Sequence, residues 1–233
     1  MARSGGDSGA AAAADGRPGA LPPGRPLIVA VTGGMGAGKS TFCRLMARRA
    51  GVVHVDADSI VHGLLAKDRD VQAAVAERFG PELLDPAGGV DRARLAERAF
   101  SDPARLAQLE AILHPRVQAV LAGKVETLKS AGGVDIVLVE IPLLAESGVP
   151  VWCDLVVTVE APRETRSTRL ALKGMPAAAA ARREVRQTRS VRRKALADLV
   201  VDNSAGLEAL ETCVEKLWQS WRGLPPAVDG GNQ

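Results

Sequence analysis

Nine consecutive residues of this chain have the types and spacing needed to bind polyphosphate. Residues 33–41 read Gly-Gly-Met-Gly-Ala-Gly-Lys-Ser-Thr and match the phosphate-binding P-loop at every fixed position. Glycines in such a loop let successive backbone N–H groups converge on one anion. The sequence therefore predicts a site for ATP and Mg²⁺, in which Lys39 reaches the β- and γ-phosphates and Ser40 holds the metal ion. The expected nucleotide contacts are Gly34, Met35, Gly36, Ala37, Gly38, Lys39, Ser40 and Thr41.

The elements on either side of this loop favour phosphate binding over a glycine-rich turn without a ligand. The apolar run 27–31 is typical of a buried strand, and residues 39–50 carry apolar side chains at helical spacing. A strand, a glycine loop and a helix in that order form the context in which a P-loop binds phosphate. Residues 52–56 then predict a second strand, which completes a β-α-β unit.

Three further apolar runs predict the rest of a sheet, at residues 134–139, 155–159 and 199–201. The first two runs are too uniformly apolar to be half-exposed, which favours a parallel sheet that is covered on both faces. Helical patterns occupy 59–80, 91–131 and 162–194, and Asn203 and Ser204 are expected to cap a closing helix. The predicted fold class is an α/β P-loop fold, with a five-stranded parallel sheet covered by helices, a helical insertion and a basic lid.

The chain divides by composition into five parts. Residues 1–26 are rich in Gly, Ala and Pro without an apolar period, so we expect a disordered extension. The nucleotide-binding core is expected at 27–58 and 132–222, with the lid at about 163–190. Residues 59–131 are the expected acceptor-binding insertion, and 223–233 a flexible tail.

Composition and charge exclude several classes of protein. The 233 residues include no apolar stretch near the ~18 that a membrane span needs, and residues 1–26 are unlike a signal peptide, so a cytoplasmic protein is expected. The net charge of +3 is uneven, because 162–194 contains eleven Lys or Arg and two Glu. That segment has no aromatic residue on which a base could stack, so we expect it to clamp small-molecule phosphates and not nucleic acid.

Two acids follow predicted strands at the edge where ligands collect in open α/β sheets. Asp58 could accept a proton from an acceptor hydroxyl, or it could be the N-cap of the next helix, and its residue type fits both roles. Glu140 ends the third strand, where it could bond the metal shell directly or through water. No second acid follows Glu140, which favours transfer to an alcohol over hydrolysis.

Two stripes of basic residues lie in the segment 162–194, each at the spacing of one helical face. A solvated face is the usual meaning of such a stripe, but a lid must bring an arginine to the developing phosphoryl charge. We assign this lid role to Arg169 and a solvated role to most of the others. The stripes are Arg166, Arg169 and Lys173, and then Arg182, Arg186, Arg189 and Arg193.

Histidines and cysteines are not expected to do chemistry. The three cysteines are far apart and have no histidine close by in sequence, which argues against disulfides and zinc. His114 and Pro115 are expected to interrupt a helix. The residues in question are Cys43, Cys153, Cys213, His54, His62 and His114.

Taken together, the ordered motifs resemble the dephospho-coenzyme A kinase family from about residue 27 to 217. They include the P-loop, Val55-Asp56-Ala57-Asp58, Val90-Asp91-Arg92, Leu113-His114-Pro115, Ile141-Pro142-Leu143-Leu144, and Val201-Asp202-Asn203. The resemblance implies that ATP·Mg²⁺ phosphorylates the ribose 3′-hydroxyl of dephospho-CoA. It further implies that Asp58 activates the acceptor, that Arg169 is the lid arginine, and that the insertion binds CoA. The acceptor contacts implied are Asp58, Pro142, Leu143 and Leu144.

One departure from the family pattern concerns the lid, where Lys173 stands at the position of a second arginine. A nucleoside monophosphate kinase is the alternative enzyme, since it would share the loop and the lid. A GTP-driven switch or an RNA-binding protein is the non-enzymatic alternative, but a guanine-recognition motif and stacking residues are missing. We expect a monomer or a weak homo-oligomer that acts on ATP and dephospho-CoA.

Overall fold

Five parallel strands form one sheet in the order β2-β3-β1-β4-β5. The computed structural model describes residues 24–85, 88–175 and 190–223. The strands are β1 (Leu27–Gly33), β2 (Val52–Asp56), β3 (Ile136–Glu140), β4 (Leu155–Glu160) and β5 (Leu199–Asp202). β1 lies at the centre, paired in parallel register with β3 on one side and β4 on the other. The predicted fold class is confirmed.

Helices cover both faces of the sheet. They are α1 (Lys39–Met46), α2 (Ala57–Lys67), α3 (Arg69–Phe79), α4 (Arg92–Phe100), α5 (Pro103–Lys129), α6 (Leu144–Ser147), α7 (Arg163–Leu172), α8 (Ser190–Leu196) and α9 (Leu207–Trp221). All seven residues of β1 are buried, and successive side chains enter opposite cores. Ile28 and Ala30 pack toward the helices that follow β2, whereas Val29 and Val31 pack toward α1 and α9.

The segment between β2 and β3 is helical. Each of its four α-helices begins at an aspartate whose side chain accepts backbone N–H bonds of the first turn, an efficient way to satisfy a helix N-terminus. These N-caps are Asp56, Asp68, Asp91 and Asp102. The expected interruption at His114 and Pro115 is wrong, because α5 continues through Pro115.

The closing helix differs from its sequence prediction at the N-terminus. α9 starts at Leu207 after Gly206, and no side chain caps it. The predicted cap at Asn203 and Ser204 is therefore wrong. The cause is a competing bond, since the Asn203 amide donates to the carbonyl of Ala37 at 2.8 Å. Among the described residues, no helix is long and apolar enough to cross a membrane.

Candidate active site

The P-loop leaves the carboxyl end of β1 in a conformation that depends on its glycines. Gly33, Gly36 and Gly38 have φ angles of 145°, 78° and 105°, which side chains rarely adopt. A Cβ atom on Gly33 would lie 2.2 Å from the carbonyl oxygen of Val159. The loop is thus held between β1 and β4, and it leads directly into the N-terminus of α1.

Lys39 lies inside the curve of this loop. Its Nζ donates to the carbonyls of Gly33 and Gly34 at 3.0 and 3.2 Å, and the residue is only 9% exposed. Burial lowers the pKa of Lys39, although the charges of Glu140 and Asp58 act in the opposite direction. The ammonium is positioned to exchange backbone carbonyls for phosphate oxygens.

Ser40 and Glu140 meet at the end of the loop, as their predicted roles require. The Ser40 hydroxyl donates to Glu140 Oε1 at 2.7 Å, and His54 Nε2 lies 3.3 Å from Glu140 Oε2. Burial raises the pKa of Glu140, but the contacts with His54 and Ser40 and the charge of Lys39 outweigh it and lower the pKa overall. Glu140 is therefore a carboxylate at neutral pH.

This hydroxyl and carboxylate suit Mg²⁺, because hard oxygen donors with room for water are what that ion prefers. Ser40 is exposed, so water can complete the coordination shell. Ser40 would bind the ion directly and Glu140 through water.

The two aspartates after β2 have different surroundings. Asp56 is the N-cap of α2, accepting from the Asp58 N–H at 3.0 Å and from the Ser59 hydroxyl at 2.7 Å. Asp58 lies inside the first turn of α2, so the alternative in which Asp58 caps the helix is wrong. A cap needs non-helical backbone, and that position is already held by Asp56.

Asp58 is exposed at one side, yet its surroundings disfavour the charged form of its carboxyl group. The pKa of Asp58 is raised first by desolvation and then by the charges of Asp56 and Glu140, while Lys39 and His62 act to lower it. A carboxylate with a raised pKa is a better proton acceptor than an ordinary surface aspartate. His62, one turn further along α2, contacts Arg92 of α4.

Two arginines of α7 and one asparagine bind the outside of the P-loop. Arg169 donates to the carbonyls of Ala37 at 3.3 Å and Asn203 at 2.9 Å, and Arg166 donates to Met35 at 3.4 Å. Together with the Asn203 amide on Ala37, these bonds join the loop to α7 and to the end of β5. The predicted lid residue Arg169 thus lies beside the nucleotide site.

Arg193 forms a buried ion pair with Glu160 at the end of β4. Its Nε lies 3.0 Å from Glu160 Oε1 and a second nitrogen 3.2 Å from Oε2, with Thr158 and Ser190 also donating to the carboxylate. Arg193 is therefore no solvated residue, contrary to the general expectation for its stripe. Its partners in that stripe, Arg182, Arg186 and Arg189, lie outside the described residues.

The remaining sequence candidates fall in different environments. Lys173 is exposed at the C-terminal end of α7. Pro142 accepts a bond from the Thr32 hydroxyl at 3.4 Å, and Leu143 is half-buried in the turn after β3. Leu144 is completely buried in the core, which leaves no side-chain surface for an acceptor.

Sequence reasoning missed the supports of the loop. Asn203 and Glu160 are separated from the P-loop by more than a hundred residues, so no local spacing reveals them. The signal that could have found them is position, because each is at or just after the carboxyl end of a predicted strand, where sites assemble.

A P-loop at the central strand of a parallel sheet, with an acid on the neighbouring strand and arginines over the loop, defines a P-loop phosphotransferase. The dephospho-CoA kinase family model matches residues 27–209. A dephospho-CoA kinase of Streptomyces avermitilis is 42% identical over 194 residues, which cover 82% of this chain and 92% of the relative. One of Deinococcus radiodurans is 40% identical over 190 residues, covering 81% and 89%.

A solved structure shares the fold of this chain. The crystal structure of TT1252 from Thermus thermophilus matches with a TM-score of 0.66 and 32% identity, over 83% of this chain and 96% of that one. The chain belongs to the dephospho-CoA kinase family.

Proposed function

We propose that this chain transfers the γ-phosphoryl group of ATP to the ribose 3′-hydroxyl of dephospho-CoA, releasing CoA and ADP. Family membership supports the reaction. The single observation that carries the residue assignment is the position of Asp58, which lies two residues past Asp56 at the end of β2, in register with Glu140, the acid that accepts the Ser40 hydroxyl of the P-loop. An acceptor hydroxyl against Asp58 is then next to the phosphates at Lys39.

On the donor side, the backbone N–H groups of residues 34–41 bind the phosphates and Lys39 neutralises charge on the β- and γ-oxygens. Ser40 would hold Mg²⁺ directly and Glu140 would hold it through water, and the bound ion would supply further neutralisation of those oxygens. Arg169 reaches the transferred group when α7 moves over the nucleotide. Phosphoryl transfer depends mostly on such positioning and charge stabilisation.

On the acceptor side, Asp58 orients the 3′-hydroxyl and takes its proton. The 3′-oxygen forms a bond to the γ-phosphorus while the bond from that phosphorus to the β-phosphate oxygen breaks, so ADP leaves. The helices between β2 and β3 hold the remainder of the acceptor, and Pro142 and Leu143 line its reactive end. Leu144 contributes by packing that turn.

The test is release of ADP from ATP with dephospho-CoA or AMP as the acceptor. We expect turnover with dephospho-CoA and little with AMP, and loss of turnover in Lys39→Ala, which leaves the phosphate charge under-neutralised. Preferred turnover with AMP would establish a nucleoside monophosphate kinase instead. Full activity of Lys39→Ala would remove the P-loop from the mechanism.

A further inference from the structure

Behind the P-loop, three side chains from three different elements converge on one point. They are Cys43 of α1, His54 of β2 and Glu140 of β3, and their ligand atoms all lie within 4.8 Å of one another. The fold makes this cluster, because no histidine or acid is near Cys43 in the sequence. The sequence argues against zinc because no histidine is close to a cysteine along the chain, and that reasoning does not cover ligands that only the fold brings together.

The cluster is enclosed but has one open side. Cys43 is completely buried and the Glu140 side chain is 6% exposed, whereas the His54 side chain is 19% exposed. The Nε2 atom of His54 is buried 3.3 Å from Glu140 Oε2, but the two atoms do not have the geometry of a hydrogen bond. A buried polar atom that lacks a well-formed hydrogen bond is costly, and a cation that binds both atoms would remove that cost.

The donor set distinguishes between cations. Sulfur, imidazole nitrogen and carboxylate oxygen are the ligands of Zn²⁺, which binds them at about 2.0–2.3 Å in a tetrahedron. A thiolate ligand selects zinc-like ions over Mg²⁺, which prefers oxygen. The cluster therefore favours Zn²⁺, whereas the nucleotide site favours Mg²⁺.

We propose that Cys43, His54 and Glu140 form a Zn²⁺ site whose occupation inhibits the kinase. Binding breaks the S–H bond of Cys43, the proton goes to solvent, and the sulfur and His54 Nε2 each donate an electron pair to the ion. Glu140 supplies the third ligand, and water completes the tetrahedron. No electron transfer is involved.

Inhibition follows from the position of Glu140. This carboxylate accepts the Ser40 hydroxyl at 2.7 Å and is the acid expected to hold the Mg²⁺ shell. A zinc ion bound to Glu140 Oε2, the oxygen that faces His54, neutralises the carboxylate and weakens the bond from Ser40 to Oε1 and the hold of Glu140 on the Mg²⁺ shell. The inhibitory effect rests on the proposed kinase function, whereas metal binding does not.

Entry of the ion is from the side of His54, the most exposed of the three ligands.

Binding is measured with Cd²⁺, a zinc-like probe whose bond to a thiolate gives an ultraviolet charge-transfer band. We expect a saturable band of one equivalent in the full chain, and at least about tenfold weaker binding in Cys43→Ser and in His54→Gln. Cys213→Ser and Cys153→Ser are the matched controls and should keep the band. An unchanged band in Cys43→Ser, or no band in the full chain, would overturn the site.

Activity is measured separately, with Zn²⁺ titrated into the dephospho-CoA assay at saturating Mg²⁺. The full chain and Cys213→Ser should be inhibited, and Cys43→Ser should be active without zinc and resist it by at least about tenfold in concentration. Equal inhibition of Cys43→Ser would overturn the inhibitory role. Turnover without zinc tests the proposed function by itself, so the two failures are distinct.

Discussion

Two aspartates that are two residues apart divide their work between structure and chemistry. Asp56 uses both carboxylate oxygens to start α2, bonding the Asp58 N–H and the Ser59 hydroxyl. Asp58 is turned to solvent at the carboxyl edge of the sheet. The helix cap thus fixes the direction in which the second carboxylate points.

Replacing Asp58 by Asn should separate chemistry from structure. The change keeps the shape of the side chain and removes the charge that draws the acceptor proton, and general bases are worth about 10²–10⁴-fold in rate. We expect Asp58→Asn to keep its melting temperature and its ATP affinity, and to lose at least about a hundredfold in kcat with dephospho-CoA. Steady-state kinetics and calorimetric ATP titration measure these quantities.

Asp56→Asn is the matched control for that variant. Asn caps helices about as well as Asp, so stability and kcat should change little. A kcat loss of less than about threefold in Asp58→Asn, below the usual range for a general base, would contradict the assigned role.

At the level of residues, much of the site could be predicted from spacing along the sequence. The P-loop lies in consecutive residues, and the positions of Lys39, Ser40 and Glu140 follow from a strand, a loop and the next strand in the sheet. Asn203 could not be predicted, because it reaches Ala37 across a separation of 166 residues. The capping of α2 by Asp56 instead of Asp58 was open, since both are good caps and the helix start is uncertain by two residues.

At the scale of elements, α8 is tied to the sheet by one buried ion pair. Glu160 ends β4 and Arg193 belongs to α8, and both are less than 10% exposed. Their bonds are paired and short enough for a planar guanidinium to grip both oxygens. This pair therefore fixes the position of α8 against the carboxyl end of β4.

Glu160→Gln should destabilise the fold strongly at neutral pH. Removing one partner leaves the Arg193 charge buried and uncompensated, which costs about 3–5 kcal/mol in the free energy of unfolding. Chemical denaturation at pH 7 measures this loss. Glu164→Gln, on the exposed side of α7, is the control and should change stability by less than about 0.5 kcal/mol.

The loss should also depend on pH in a defined direction. Burial alone would raise the pKa of Glu160, but its bonds from Arg193, Thr158 and Ser190 outweigh burial and hold the pKa below its ordinary value of 4.5. The stabilisation is therefore present above about pH 4.5 and is lost as pH falls through the lower folded-state pKa. The difference between the full chain and Glu160→Gln should shrink in acid, and a constant difference would contradict the ion pair.

Substitutions of the two basic lid residues, Arg169 and Lys173, should have unequal effects on catalysis. Arg169→Ala should slow phosphoryl transfer strongly while dephospho-CoA still binds, because Arg169 lies beside the P-loop carbonyls. Lys173→Arg should preserve or modestly raise kcat/KM, since a guanidinium can grip two phosphate oxygens. Single-turnover kinetics and acceptor titration separate the two steps. Silent substitutions at both positions would mean that the stripe is only a solvated face.

Strands were easier to predict than helix boundaries, for a physical reason. All five predicted runs contain strands, and β1, β3 and β4 are buried at every residue, as mainly apolar runs in a covered parallel sheet should be. The helix α5 was wrongly expected to break at Pro115, since tertiary packing can hold a helix through a proline that local rules penalise.

At the scale of the whole molecule, the start of the described fold is pinned at Arg25. Its guanidinium bonds both oxygens of Asp154 at 2.7 Å, and Asp154 also accepts from the Ile28 N–H. This arrangement joins the beginning of β1 to the beginning of β4. The expectation of a monomer or weak homo-oligomer stays a prediction.

Deleting residues 2–24 should leave kcat unchanged, because no pattern there could pack on the core and Arg25 is retained. In contrast to the deletion, Asp154→Ala should lower the stability of the fold. It leaves the Ile28 N–H unpaired at a cost of about 1–3 kcal/mol, and each kcal/mol lowers Tm by about 2–4 °C. A large loss of kcat on deletion would show that the segment docks on the enzyme.

The pairing of β1 with strands made much later constrains the order in which the chain can fold during synthesis. The P-loop is made early in synthesis, yet it is held by Val159 and by Asn203, and β1 pairs only with β3 and β4. Pairings between such distant segments form late, and a nascent chain emerges from its N-terminus. We therefore expect the nucleotide site to assemble only after β4 and Asn203 have been made, so that ATP affinity would report completed folding.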